Sequence, residues 1–114
     1  MIARTAGGFS RTELGSVLKA IADPHRRRIL DLLAERDLPV GGIAERLPIG
    51  RHAVMKHLRV LQSAHLLSVR PAGRTRIQTL NAAPLRSVED WLGRFAAFWD
   101  DSLQRLKRQV EEAP

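Results

Sequence analysis

Arg51, His52, Met55, Lys56 and Arg59 recur at spacings of one, three, one and three residues. With about 100° between successive helical residues, they gather on and beside one stripe. An arginine fork matches phosphate oxygens or the O6 and N7 atoms of guanine. A lysine offers a point charge to phosphate. Arg51 and His52 stand first on the helix, the end that enters a groove deepest, and suit base edges. Lys56 and Arg59 suit phosphate, which gives affinity without sequence information. Met55 offers an apolar surface for which a thymine methyl is a partner.

Three more groups carry charge. Arg70, Arg74 and Arg76 surround the turn residues Pro71 and Gly73. Arginines on such a hairpin lie along a backbone or enter a narrow minor groove. Arg26, Arg27 and Arg28 are consecutive, so they cannot all serve one surface of a helix. One of them, Arg26, is assigned to phosphate near the helix start, and another to a carboxylate such as Asp23 or Asp31. The four histidines are His25, His52, His57 and His65. His52 and His57 lie about 140° apart around a helix, so the i, i+4 chelate is missing. No metal site and no cofactor is expected. No Ser, His and Asp fall in a nucleophilic arrangement, and no phosphate loop is present, so an enzyme is not expected.

These residues need elements to hold them. Ser10 and Glu13 fit a capping box, with Phe9 and Leu14 at staple positions. A first helix then covers 11–22, with Leu14, Val17, Leu18 and Ile21 inward. Asp23-Pro24 is a second start signal, a cap followed by proline at the first helical position. That helix reaches Glu35 and buries Ile29, Leu30, Leu32 and Leu33. A loop over 36–39 and a third helix over 40–47 follow. Residues 48–50 make a tight turn. The fourth helix spans 51–64, and Val54, Leu58 and Leu61 form its inward stripe at i, i+4, i+7. His57 lies near that stripe as a packing or hydrogen-bonding residue, and His65 marks the helix end. Strands over 66–70 and 75–80 make an edge hairpin, because Pro71 cannot donate to a ladder.

Residues 81–84 form a turn, and one long helix is expected over 84–111. Leu85, Val88, Leu92, Phe95, Trp99, Leu103, Leu106 and Val110 step by three and four, a coiled-coil-like seam. Trp91 and Phe98 widen it. So large an apolar face exceeds what a small domain can cover, and a second copy of the chain is the simplest partner. The expected dimer interface is Leu14, Val17, Leu92, Phe95, Trp99, Leu103 and Leu106. The aromatic cluster is the core of that dimer, or else lines a pocket for an apolar ligand.

The fold class is thus mainly α with a small β-hairpin. It is a winged helix-turn-helix over 10–83, with a flexible arm over 1–9 and a C-terminal dimerisation helix over 84–112. At 114 residues and 44% hydrophobic, the chain has material for one core. The net charge is +7, and only Lys19, Lys56 and Lys107 among the 19 cations are not arginine. A polyanionic partner follows. There is no cysteine, which removes disulfides and thiolate chemistry. No apolar run approaches the ~20 residues of a membrane span, and the start lacks a signal-peptide segment. A cytoplasmic protein without membrane partners is expected.

Residues 18–30 (LKAIADPHRRRIL), 43–47 (IAERL) and 53–61 (AVMKHLRVL) resemble the ArsR-type bacterial winged-helix repressors, as do Gly73-Arg74 and Leu80-Asn81. The resemblance covers about residues 12–112. It implies a homodimer held by the first and last helices, bound to a short inverted repeat of double-stranded DNA at a promoter and released by an inducer. Many members sense metals through cysteines, which this chain lacks. Others use His and acidic residues on the last helix; here Glu89, Asp90, Asp100 and Asp101 stand there without a histidine. Gly50 and Met55 occupy positions where relatives often carry serine, so the operator of relatives does not transfer. The expected function is a sequence-specific transcriptional repressor, with a small-molecule effector as an added partner. The alternatives are a protein-interaction winged helix and a non-specific architectural DNA binder.

Overall fold

The computed structural model describes residues 11–112. The expected arm, the Ser10 cap and the Phe9 staple lie outside the described residues. Helices α1 (Arg11–Ile21) and α2 (Pro24–Glu35) meet at a corner set by Asp23. Asp23 is extended, with φ −98° and ψ 132°, and its carboxylate accepts the Arg26 amide at 3.0 Å. This N-cap satisfies one of the amides that a helix start leaves without a partner.

The expected loop over 36–39 contains a two-residue strand, β1 (Leu38–Pro39). Helix α3 (Val40–Ala44) follows and ends three residues earlier than expected. The Arg46 amide bonds the Ile43 carbonyl at 3.0 Å, an i→i−3 bond that tightens the chain as it leaves the helix. Pro48 then disfavours helical backbone at the residue before it. Helix α4 (Arg51–Ser63) starts from Gly50, which is extended and supplies no side-chain cap.

Strands β2 (Leu67–Ala72) and β3 (Thr75–Leu80) form the hairpin, and β2 runs two residues further than expected. The antiparallel sheet has the order β1-β3-β2, with Leu38 opposite Gln78 and Pro71 opposite Arg76. Both prolines thus sit on edge strands, where a missing amide breaks no ladder. Gly73 has φ 62° and Arg74 does not, so the two-residue turn has the glycine-first form that matches strand twist.

The end of α4 is a Schellman motif with a histidine where glycine is usual. His65 has φ 62°. Its amide bonds the Gln62 carbonyl at 2.9 Å, and the Leu66 amide bonds Leu61 at 3.0 Å. Asn81 clasps this turn from the far end of the wing. Its Nδ2 donates to the His65 carbonyl at 2.8 Å and its amide to the Leu66 carbonyl at 2.7 Å.

The single C-terminal helix expected over 84–111 is not continuous. A 3-10 turn (Ala83–Leu85) leads into α5 (Arg86–Gly93), and α6 (Ala96–Glu112) follows. At the junction Arg94 bonds Trp91 at 3.2 Å and Phe95 bonds Leu92 at 3.0 Å, both i→i−3. Gly93 is the weak point, since glycine costs about 1 kcal/mol against alanine within a helix.

The core lies where α1, α2, α3 and α4 meet the sheet. Ile29, Leu32, Leu33, Ile43, Val54, Leu58, Leu61 and Leu66 are buried in it. Val17 is only 1% exposed and belongs to this core, which corrects its assignment to a dimer interface. The inward face of α1 carries Val17 and Ala20, whereas Leu18, expected inside, is exposed. Helix α6 contributes no buried residue.

Candidate nucleic-acid interface

Helix α4 turns Val54, Leu58 and Leu61 inward, which leaves its other side to solvent. Arg51, His52, Met55, Lys56 and Arg59 are all exposed there. None of their side chains has a hydrogen bond or ion pair to another described residue. His52, Met55, Lys56 and Arg59 line one shallow depression of about 60 Å³. The Arg51 guanidinium reaches back over α3, where a Cβ on Gly41 would stand 3.7 Å from its Nη1.

The strand register decides which wing residues join this face. Residues opposite each other in an antiparallel pair share a side of the sheet. Val69 with Gln78 and Pro71 with Arg76 therefore lie on one side, and Arg70 with Ile77 on the other. Val69, Gln78 and Arg76 line a groove of about 270 Å³ together with Met55, Arg59 and Gln62 of α4. Arg76 thus faces α4. Arg70 instead pairs with Asp37 at 3.7 Å, and both are well exposed. Arg74 stands at the hairpin tip, exposed. Gln62 Nε2 donates to Gln78 Oε1 at 3.0 Å and ties helix to wing. Val69, Gln62 and Gln78 border this groove, and helix periodicity does not find them. Strand alternation with a fixed register would have found the two on the wing.

Arg26 is engaged inside the protein rather than free for phosphate. Its Nε donates to the Ala20 carbonyl at 2.6 Å and its Nη2 to Lys19 at 3.0 Å. Its Nη1 lies 3.3 Å from His57 Nδ1. The guanidinium therefore closes the C-terminus of α1, whose last carbonyls need donors. Arg27 does the same for Ile21 at 2.7 Å. His57 Nε2 lies 3.9 Å from Asp23 Oδ2, so the corner between α1 and α2 leans on α4 through one imidazole. Burial alone would raise the Asp23 carboxyl. The Arg26 amide, the charges of His57 and Arg26 and the His25 amide outweigh it and hold the group below its ordinary value. The His25 and His57 rings lie 5.8 Å apart. Among the described residues no three of His, Asp and Glu gather as metal ligands, and no helix is long and apolar enough to cross a membrane.

The electrostatic frame is one-sided. From Arg46 to Val88 the sequence carries eight basic residues and no Asp or Glu. That segment is the turn, α4 and the whole wing. A helix-turn-helix with an uncovered cationic face and a basic wing is built to approach a polyanion.

Comparison with known proteins agrees. The profile of a family described as a helix-turn-helix domain matches residues 21–70. The transcriptional repressor SdpR of Bacillus subtilis is 36% identical over 90 residues, covering 79% of this chain and all of that protein. An HTH-type transcriptional regulator of Mycobacterium tuberculosis is 43% identical over 77 residues, 68% of this chain and 72% of its own. Among solved structures, an ArsR-like transcriptional regulator from Rhodococcus superposes with a TM-score of 0.71 at 34% identity. It covers 90% of this chain and 94% of its own. These regulators are not enzymes. With its own winged helix-turn-helix and these relatives, the chain belongs to the ArsR family of DNA-binding transcriptional regulators.

Proposed function

We propose that the protein is a homodimeric repressor that binds an inverted-repeat operator in the cytoplasm. The observation that carries this reading is the acid-free segment from Arg46 to Val88, whose cations on α4 have no internal partner among the described residues. Arg51 and His52 address base edges. Lys56, Arg59, Arg74 and Arg76 address the backbone, and Met55 gives an apolar contact. SdpR, a relative along its whole length, is named a repressor. A dimer presents two copies of α4 to successive major grooves, about 34–36 Å apart.

Support for the dimer comes from α5 and α6. Leu92, Phe95, Trp99, Leu103 and Leu106 are each at least 37% exposed in the single chain. Trp91, Phe95 and Trp99 form a ladder with ring centroids 5.3 and 6.4 Å apart. A second copy would cover this face and add Leu14 and Leu18 of α1. An effector small molecule would act by favouring the non-binding spacing of the two reading heads, which requires unequal affinity for the two states.

Fluorescence anisotropy against the gene's own upstream region and a scrambled duplex of equal length, across salt, tests this reading. Binding to the upstream region that survives excess scrambled DNA is the expected result. Equal binding to both, lost together as salt rises, would leave an architectural binder. Absence of binding to either would point to a protein partner.

A further inference from the structure

The groove between α4 and the hairpin has a composition that folding does not require. Its two walls are α4, which brings Arg59, and the hairpin, which brings Arg76, and its lining includes the exposed apolar side chains Met55 and Val69. None of the residues lining it carries a carboxylate. Other arginines of this chain are engaged internally: Arg26, Arg27 and Arg46 on backbone carbonyls, and Arg70 and Arg105 on Asp37 and Asp101. Arg59 and Arg76 have no such partner among the described residues. Two like charges bordering one groove repel each other, and an anion between them offsets that repulsion. The walls do not drift apart, because the Gln62–Gln78 hydrogen bond joins them at 3.0 Å. At about 270 Å³ the groove far exceeds the ~30 Å³ share of one water.

Resting on the DNA-binding reading above, we infer that this groove seats one backbone phosphate of each half-site, clamped between Arg59 and Arg76, with the adjoining deoxyribose on Met55 and Val69. The chemistry is that of a phosphodiester: a single negative charge with two free oxygens for two forks, joined to an apolar sugar face. The reading helix and the wing then grip the strand from its two sides at one point. This fixes how far α4 enters the major groove, a register contact rather than base readout. The two arginines count as one electrostatic contact, not two.

The test is a methylphosphonate scan, in which single phosphates of the bound duplex are replaced by a neutral group. Unmodified duplex is measured first with the full chain and with Arg59→Ala and Arg76→Ala, both exposed positions whose melting temperatures should match the parent. At one phosphate per half-site, neutralisation should weaken the parent roughly tenfold, the size of one lost charge-assisted hydrogen bond. Both variants should lose less than the parent at that same phosphate and as much as the parent elsewhere. If the reduced sensitivity falls at different phosphates in the two variants, or at none, the clamp is wrong while DNA binding stands. If the parent shows no duplex binding, the underlying reading falls and the clamp falls with it.

Discussion

Gln62 Nε2 donates to Gln78 Oε1 at 3.0 Å, and Gln78 is only 2% exposed. One side chain comes from the last turn of the reading helix and the other from the central strand. Buried amides are tolerated only when paired, so this bond fixes the wing against the helix rather than merely decorating it. Gln78→Ala should destabilise the fold by about 1–3 kcal/mol, because it leaves the Gln62 amide without its partner. Urea denaturation measures this. A change below experimental error would mean that helix and wing are held by apolar packing alone.

His65 sits at φ 62° in the closing turn of α4, a conformation that non-glycine residues resist. The left-handed region costs an L-residue roughly 1–2 kcal/mol. Glycine loses some of that gain to its freer unfolded chain. His65→Gly should therefore stabilise the protein by about 0.5–1 kcal/mol, since the Schellman bonds are made by backbone and stay intact. A lower melting temperature in this variant would show that the imidazole itself makes a stabilising contact.

Much of this was legible in the chain. The Asp23-Pro24 cap, the inward stripe of α4 and the exposed basic stripe follow from helical period and capping chemistry alone. Val17 is inward as helical period expects, but Leu18 beside it is not, because α1 rests mainly on Val17 and Ala20 and a small helix rotation is set by its neighbours. Strand β1 escaped because two residues have no periodicity; only pairing with β3 defines them. The break at Gly93 was masked by a seam that continues in sequence across it. Arg26 could not be separated from Arg27 and Arg28 by type. Only the position of the α1 carbonyls, six and seven residues back, shows which donors they take up.

The Asp23 carboxyl titrates below its ordinary value in the fold. A depressed acid contributes stability that is full above the unfolded value, near pH 4, and is lost as pH falls through the folded value. Asp23→Asn keeps a capping side chain but cannot titrate. The melting-temperature gap between parent and variant should be largest at neutral pH and should close as pH drops below about 4. A gap constant with pH would mean that the carboxylate charge is not what matters at this corner.

Arg51 and Lys56 are both exposed on α4, at the two edges of its basic stripe, and should fail differently. Arg51→Ala should cost about 1–3 kcal/mol on the preferred duplex and relax the choice at one base position. Lys56→Ala should weaken all duplexes alike and reduce the salt slope by about one. Arg26→Ala should change neither the base preference nor the salt slope, because its guanidinium serves α1; its effect should appear in stability instead. Salt titrations on specific and scrambled duplexes separate the three. A slope change in the Arg26 variant equal to that of Lys56 would return Arg26 to the interface.

Trp99 lies at the centre of the uncovered face, 47% exposed in the single chain and stacked on Phe95. An indole left half in water wastes much of the stabilisation that its burial would give, unless another surface covers it. Phe98 and Leu103 beside it are 65% and 63% exposed, and a contiguous apolar patch of this kind marks an interaction surface. If two copies meet here, Trp99 falls in the desolvated middle of the contact, where a truncated aromatic typically costs about 2–4 kcal/mol. Trp99→Ala should then raise the dimer dissociation constant by more than an order of magnitude while the winged helix keeps its melting transition. Tenfold corresponds to only about 1.4 kcal/mol. Sedimentation velocity over a range of concentrations reads this directly. In such a dimer the contact would also set the distance between the two copies of α4, and the variant should then lose binding to the preferred duplex more steeply than to a scrambled one. A parent that sediments as a monomer at micromolar concentration would remove both halves of the expectation, and the aromatic face would need a different partner.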